Sequence, residues 1–138
     1  MAGDTMLIYR TEVIRQHQFP KFKGEKFVPE SYLYDQLDQD GKLYVQGEKL
    51  YVCEYLPDGY TASIHSINKN NPRGYEGYII QRLSLDKRRK DKIEDTIRYI
   101  AIKIVMKNRG LFSDAVYKFL TFLLYPLGIL CYLKIYRK

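Results

Sequence analysis

The chain has 138 residues, of which 46% are hydrophobic and 14% aromatic, which excludes a disordered polypeptide and allows one domain with a buried core. Its net charge of +7 is uneven: residues 1–81 carry nine Lys/Arg against eleven Asp/Glu, whereas residues 82–138 carry fourteen against five. We therefore expect an anionic partner, either phospholipid head groups or nucleic acid, at the C-terminal part. Cys53 and Cys131 form no CxxC motif or Cys/His cluster, which indicates free thiols in a reducing compartment. The N-terminal residues lack the pattern of a secretory signal, so a cytoplasmic location is expected.

Two helical segments are predicted before residue 42. Thr11 can cap a helical turn that ends near His17. Pro29 suits the first position of a helix, and apolar residues follow it at helical spacing. This second helix is expected to end at the turn formed by residues 38–41.

Thr5–Arg10 is a short β-like run near the N-terminus, and the segment after residue 41 is predicted to contain two paired strands. Leu43–Val45 and Leu50–Tyr55 have the composition of two paired strands. Thr61 then caps a short helix that ends near Asn68. Residues 70–74, with the sequence Asn-Asn-Pro-Arg-Gly, form a break that we take as the boundary between two parts of the chain.

Beyond this boundary the chain is predicted to be helical. Tyr75–Leu85 forms one helix, and a second helix is expected to end at Gly110. The apolar stripe of that second helix consists of Ile93, Ile97, Ile100 and Ile104. The predicted fold is therefore α+β, with a small β-sheet and flanking helices in residues 1–74 and a helical, membrane-associating region in residues 75–138.

An uncharged stretch of fifteen residues, Phe119–Leu133, distinguishes the C-terminal region. A helix of this length reaches about 22 Å at about 1.5 Å per residue, which is short of a hydrocarbon core of about 30 Å. Pro126 and Gly128 are also expected to interrupt it. We therefore predict a segment that lies in the membrane interface, and the alternative is a buried core helix.

Two carboxylates in the block Gly24–Glu30 are the candidates for reaction chemistry. Glu30 falls in the first turn of the helix predicted to start at Pro29, where backbone N–H groups and the helix dipole favour its ionised form. Such a carboxylate can accept a proton from a sugar hydroxyl as a general base. The alternative is a surface charge that merely compensates the dipole, and Glu25 is a second candidate for the base.

Other candidate motifs have little support. Asp38-Gln39-Asp40 has the Asp-x-Asp form of a metal–diphosphate site, but it precedes Gly41 and is better explained as a solvated turn. His17 and His65 have no Cys or His neighbour at metal-ligand spacing. GxSxG, GxGxxG and Walker sequences are absent from the sequence. The basic run at residues 87–92 is more consistent with a membrane surface than with nucleic acid, because no nucleic-acid-binding motif accompanies it.

Four blocks of the sequence resemble the C-terminal half of bacterial family 2 glycosyltransferases with the GT-A fold. These blocks are residues 11–13, residues 19–30 with the sequence Phe-Pro-Lys-Phe-Lys-Gly-Glu-Lys-Phe-Val-Pro-Glu, residues 54–61 and residues 71–74. The resemblance extends from about Gly3 to the C-terminus. It implies that an acceptor hydroxyl, deprotonated by a carboxylate, attacks the anomeric carbon of a nucleotide-sugar donor with inversion of configuration.

The resemblance also implies roles for particular residues. Glu30 matches the catalytic base, with Glu25 as the alternative, and the loop of Asp58, Gly59 and Thr61 would help to close the active site. The implied membrane contacts are Lys87, Arg88, Arg89, Lys90, Phe119, Phe122, Leu123, Leu124 and Leu127. The donor-binding half that would hold a divalent metal, Mn or Mg, is not expected in this chain, so no metal ligands are predicted in it.

The predicted function is consequently that of the acceptor-side part of a glycosyltransferase. The expected partners are a nucleotide-sugar donor, a glycan or lipid-linked acceptor of capsule, exopolysaccharide or cell-wall synthesis, and the cytoplasmic face of the plasma membrane. The isolated chain is expected to be inactive. The alternatives are a non-catalytic module that binds a membrane surface and, with less support, a basic nucleic-acid-binding protein.

Overall fold

A computed structural model describes residues 7–42, 44–45, 47–48, 52, 54, 57, 59–85 and 88–137. In these ranges the chain forms the helices α1 (Thr11–Ile14), α2 (Ser31–Asp40), α3 (Tyr60–Asn70), α4 (Pro72–Ser84), α5 (Arg89–Val105) and α6 (Lys118–Ile135). A single residue, Asn71, separates α3 from α4, because Pro72 has no N–H to continue the helix but fits the first position of a new one.

The core is built around α5, which packs against both α4 and α6. Four consecutive residues of α5, Tyr99–Ile102, are each at most 1% exposed. Because four residues span a complete helical turn, α5 is buried on every side at this point. The single apolar stripe expected from the sequence therefore underestimates how much of α5 is buried. Gly128 allows the close approach of α6, since a Cβ at this position would lie 2.3 Å from a methyl carbon of Ile100.

The α+β prediction is wrong, because no residue in the described ranges belongs to a β-strand. Of the segments expected to pair as strands, Leu43–Val45 and Leu50–Tyr55, the structure describes only Tyr44, Val45, Val52 and Glu54. The side chains of Tyr44 and Val52 are 87% and 100% exposed. A two-stranded ribbon needs an apolar face buried against something else to be stable, and these side chains have no such contact.

Two details of the helices differ from the sequence-based expectations. Helix α5 ends at Val105 rather than at Gly110. The N–H of Asn108 donates to the carbonyl of Lys103 at 2.7 Å and that of Lys107 donates to the carbonyl of Ile104 at 3.0 Å, which is the Schellman pattern of a helix end. Helix α6 continues through both Pro126 and Gly128 instead of being interrupted there.

A buried lysine joins α4, α5 and the loop before α6. Lys103 is 1% exposed, and its ammonium pairs with Glu76 of α4 and with Oδ2 of Asp114 at 2.7 Å. It also donates to the carbonyl of Arg109 at 2.9 Å. Burial acts to lower the pKa of Lys103, but hydrogen bonds to the two carboxylates outweigh this effect and raise the pKa, so the ammonium stays charged at neutral pH.

Replacing Lys103 with Met should lower the free energy of unfolding by about 3–5 kcal/mol, since Glu76 would lose its buried countercharge. The measurement is urea unfolding followed by far-UV circular dichroism. The control is Lys107→Met, which removes an exposed lysine one turn further along and should change stability by less than about 0.5 kcal/mol. Equal unfolding midpoints for the two variants would show that the buried contacts contribute nothing.

Candidate functional site

An open groove of about 930 Å3 lies between the irregular segment of residues 19–31 and the start of α3. This volume is within the range of about 300–1,000 Å3 that is usual for ligand sites. The groove contains both candidate carboxylates, Glu25 and Glu30, and it also contains Thr61. Residues far apart in the sequence therefore meet in one concave site.

The carboxylate of Glu25 binds the N-terminus of α4. Its Oε1 accepts a hydrogen bond from the N–H of Arg73 at 3.0 Å and its Oε2 accepts one from the N–H of Gly74 at 2.8 Å. These N–H groups have no partner within the helix, so an ionised acceptor is favourable at this position. Both oxygens of Glu25 are thus already used in holding the fold together.

Asn71 makes the reciprocal connection from α4 to the same segment. Its Oδ1 accepts hydrogen bonds from the N–H groups of Lys26, at 2.8 Å, and Phe27, at 3.2 Å. Its Nδ2 donates to the carbonyl of Ile67 at 2.8 Å. Gly74 permits this close contact, since a Cβ there would lie 2.3 Å from the carbonyl oxygen of Phe27. The second and fourth blocks of the family resemblance are therefore bound to each other.

Glu30 differs from Glu25 in that its carboxylate is exposed and holds no helix end. It occupies the position before the first residue of α2, with φ −57° and ψ −32°, and makes no side-chain hydrogen bond to that helix's backbone. Its Oε2 accepts a hydrogen bond from the hydroxyl of Tyr34 at 3.3 Å. The pKa of Tyr34 is raised, first by burial and then by the charge of Glu30, so the phenol keeps its proton. Of the two carboxylates, that of Glu30 is the more exposed and is not bound to a helix end, so it is the better placed to accept a substrate proton.

An aromatic pair forms part of the groove wall. The rings of Phe27 and Tyr60 stack with centroids 6.1 Å apart, and Tyr60 remains 74% exposed at the first position of α3. Gly59 is the N-cap residue of this helix, and Thr61 follows in its first turn with its side chain exposed. Asp58, the third residue expected in this loop, lies outside the described residues.

Sequence reasoning missed the aromatic pair and Asn71 as parts of the site. A signal for Asn71 was present, because an Asn directly before a Pro at a helix start is placed to bind a neighbouring segment through its side chain. No comparable local signal pairs Phe27 with Tyr60, which are 33 positions apart.

In the part of the chain that the structure describes, no group of three His, Cys, Asp or Glu side chains is arranged to hold a metal ion. Asp38 is exposed in the last turn of α2. His17 lies against α2, with Nδ1 3.0 Å from Oε1 of Gln36, which is a packing role.

The predicted membrane-contact residues separate into two groups. On α6, Phe119, Phe122, Leu123 and Leu127 are exposed, at 79%, 70%, 61% and 48%, whereas Leu124 is buried in the core. In the basic run, Arg88 pairs with Asp91 at 3.0 Å, Lys90 pairs with Glu94 at 3.8 Å, Arg89 is exposed and Lys87 lies outside the described residues.

Helix α6 is long and apolar enough to associate with a membrane, and only 17% of it is buried. This low burial is opposite to what a core helix of a soluble protein shows.

No protein-family model, curated protein or solved structure matches the chain.

Replacing Glu25 with Ala should lower the free energy of unfolding by about 1–2 kcal/mol, as expected for the loss of a helix cap. Thermal unfolding measured by circular dichroism tests this. Glu30→Ala is the matched control, since its exposed carboxylate caps no helix and its removal should cost less than about 0.5 kcal/mol. A larger loss for Glu30→Ala than for Glu25→Ala would contradict these assignments.

Proposed function

We propose that the chain supplies the acceptor-binding side and the catalytic base of a family 2 glycosyltransferase. The observation that carries this proposal is the exposed carboxylate of Glu30 inside a groove of about 930 Å3 that also has an aromatic wall. Further support comes from the blocks of the resemblance, because most of residues 19–30, Tyr60 and Thr61 line this groove, and the start of α4 binds Glu25 in it.

The proposed roles follow from the chemistry of each group. The exposed ring of Tyr60 offers the flat apolar face on which a sugar ring stacks, and the neighbouring Phe27 holds it in place. Glu30 accepts the proton of the acceptor hydroxyl as that oxygen attacks the anomeric carbon and the nucleoside diphosphate leaves. Glu25 positions this segment by its bonds to α4 and does not touch the substrate.

The nucleotide-sugar donor and its divalent cation, Mn or Mg, belong in this proposal to a donor-binding part beyond the residues discussed here. The described residues provide no set of ligands for that cation. The isolated chain is accordingly proposed to bind acceptor glycans without transferring sugar to them. The class of acceptor we propose is a polysaccharide or lipid-linked glycan of capsule, exopolysaccharide or cell-wall synthesis.

Binding of glycans to the isolated chain tests the acceptor groove. A panel of bacterial surface oligosaccharides titrated against the protein, with the Tyr60 ring signals followed by NMR, should give saturable shifts. Tyr60→Ala should weaken the binding about fivefold or more, since stacked aromatic contacts contribute roughly 1 kcal/mol. The control Tyr44→Ala removes another exposed tyrosine outside the groove and should leave the affinity unchanged.

Catalysis requires the donor part supplied in the same polypeptide or as a second chain. In that complete enzyme, Glu30→Gln should lower kcat by about 10²–10⁴-fold, with little change in glycan affinity, because the amide cannot accept the proton. The control is Glu48→Gln, which replaces an exposed glutamate outside the groove. Full turnover by Glu30→Gln would exclude this residue as the base, and the absence of glycan binding by the isolated chain would exclude the groove.

We further propose that α6 attaches the protein to the cytoplasmic face of the plasma membrane, in the interface rather than across it, because one side of α6, with Leu124 and Gly128, packs against the core. Phe119→Ser with Leu123→Ser removes two large apolar groups that are exposed, so the fold should be retained. This double variant should lose most of its flotation with anionic liposomes. Ile8→Ser with Val52→Ser is the matched control, because these apolar residues are also exposed, at 75% and 100%, but lie far from α6 in the sequence. Undiminished flotation of the α6 variant would refute this attachment.

A further inference from the structure

A second recess, of about 610 Å3, lies where the loop between α5 and α6 meets the middle of α6. Its lining consists of Asn108, Leu111, Phe112, Phe122, Tyr125 and Pro126, so five of its six residues are apolar or aromatic. Leu111 is buried, whereas Phe112 and Phe122 remain 45% and 70% exposed. The recess is thus an apolar site that is open to the surroundings of the protein.

The loop that forms this recess is fixed by buried side chains of α5. The hydroxyl of Tyr99 donates to the carbonyl of Leu111 at 3.0 Å. The ammonium of Lys103 donates to the carbonyl of Arg109 at 2.9 Å and to Asp114 at 2.7 Å. Because buried side chains of α5 hold this loop, the recess is shaped by the fold itself, and binding would cost little free energy for ordering the loop.

Two features indicate the chemistry of the ligand. The recess continues into the exposed apolar face of α6, since Phe122 belongs to both. Lys107 and Arg109 flank Asn108 in sequence and are exposed, and among the described residues neither has an ion pair with an acidic side chain. An apolar chain beside two available cations matches an amphiphile with an anionic head group.

We propose that this recess binds one hydrocarbon chain of an anionic phospholipid, with Lys107 and Arg109 contacting the phosphate. The site is distinct from the glycan groove, and the inference does not depend on the proposed glycosyltransferase function. A second copy of the chain fits this surface less well. Helix α6 contains no acidic residue and carries Lys118 and Lys134 at its ends, so pairing it with itself in either direction brings cations together.

The absence of tryptophan from the sequence allows a single-tryptophan test. Phe112→Trp places the reporter in the recess, and Phe119→Trp places a matched reporter on the same apolar surface outside it. Each variant is titrated with a short-chain phosphatidylglycerol that is brominated on its acyl chains, below its micelle concentration. We expect saturable quenching of Phe112→Trp and at most weak, unsaturated quenching of Phe119→Trp.

Equal quenching of the two reporters would mean that the lipid adsorbs non-specifically to the apolar face. No quenching of Phe112→Trp would mean that the recess binds no acyl chain. Either result overturns the proposal. A concentration-dependent dimer that forms without lipid and prevents quenching would also overturn it, in favour of a second copy as the occupant.

The head-group contact is tested in the Phe112→Trp background. Lys107→Gln with Arg109→Gln should weaken binding of the brominated phosphatidylglycerol by about tenfold or more, because each cation near an anionic lipid surface contributes to binding. This double variant should then bind brominated phosphatidylcholine and brominated phosphatidylglycerol with equal affinity. Lys21→Gln with Lys23→Gln is the control, with the same change in net charge at a distant segment. If both pairs of variants bind equally well, the assignment of Lys107 and Arg109 is wrong.

Discussion

The exchange of hydrogen bonds between residues 25–27 and the start of α4 is the constraint on which the candidate site depends. Residues 18–28 form one hydrogen-bonded turn, in which the N–H of Glu25 donates to the carbonyl of Phe22, and otherwise have little regular backbone bonding of their own. The side chains of Glu25 and Asn71 each satisfy two N–H groups of the opposite segment. Because Gly74 leaves space for the carbonyl of Phe27, the two backbones can approach closely enough for all four bonds. An irregular segment thereby acquires a definite position on a helical core.

Much of the helical part was accessible from sequence, since α2, α4 and α5 have apolar residues at helical spacing and begin near Pro29, Pro72 and the basic run. The strands were wrongly predicted because β-branched and aromatic residues favour strands locally, whereas the described side chains of Tyr44 and Val52 are exposed. Local composition does not show whether a strand has a partner to pack against. The helix end at Val105 was missed for a similar reason. Lys107 and Asn108 adopt φ values of 60° and 56°, a conformation that Gly110 adopts more readily than Lys or Asn, so the sequence favoured Gly110 as the helix end.

The two carboxylates show what sequence can and cannot distinguish. Their spacing suggests equivalent candidates, and a helix start after Pro29 favours Glu30 only weakly. The two carboxylates differ because Glu25 accepts a hydrogen bond from the N–H of Arg73, which is 48 positions further along the chain. Such a contact depends on the tertiary arrangement of α4, which no local pattern around residue 25 encodes. The structure thus assigns Glu25 to holding the fold and leaves the carboxylate of Glu30 accessible.

The C-terminal half shows a comparable division between burial and exposure within one helix. Gly128 and Leu124 face α5, and the close packing of Gly128 against Ile100 requires the smallest residue at that point. Phe119, Leu123 and Leu130 lie on the other side, where they are 60–79% exposed. Helix α6 is therefore packed on the core through one face, to which the partly buried Leu120, Tyr125, Cys131, Tyr132 and Ile135 also belong, while its opposite face stays uncovered. In water this arrangement leaves the favourable free energy of burying those side chains unrealised. An apolar phase bounded by anionic head groups would supply that free energy, together with countercharges for Lys118 and Lys134.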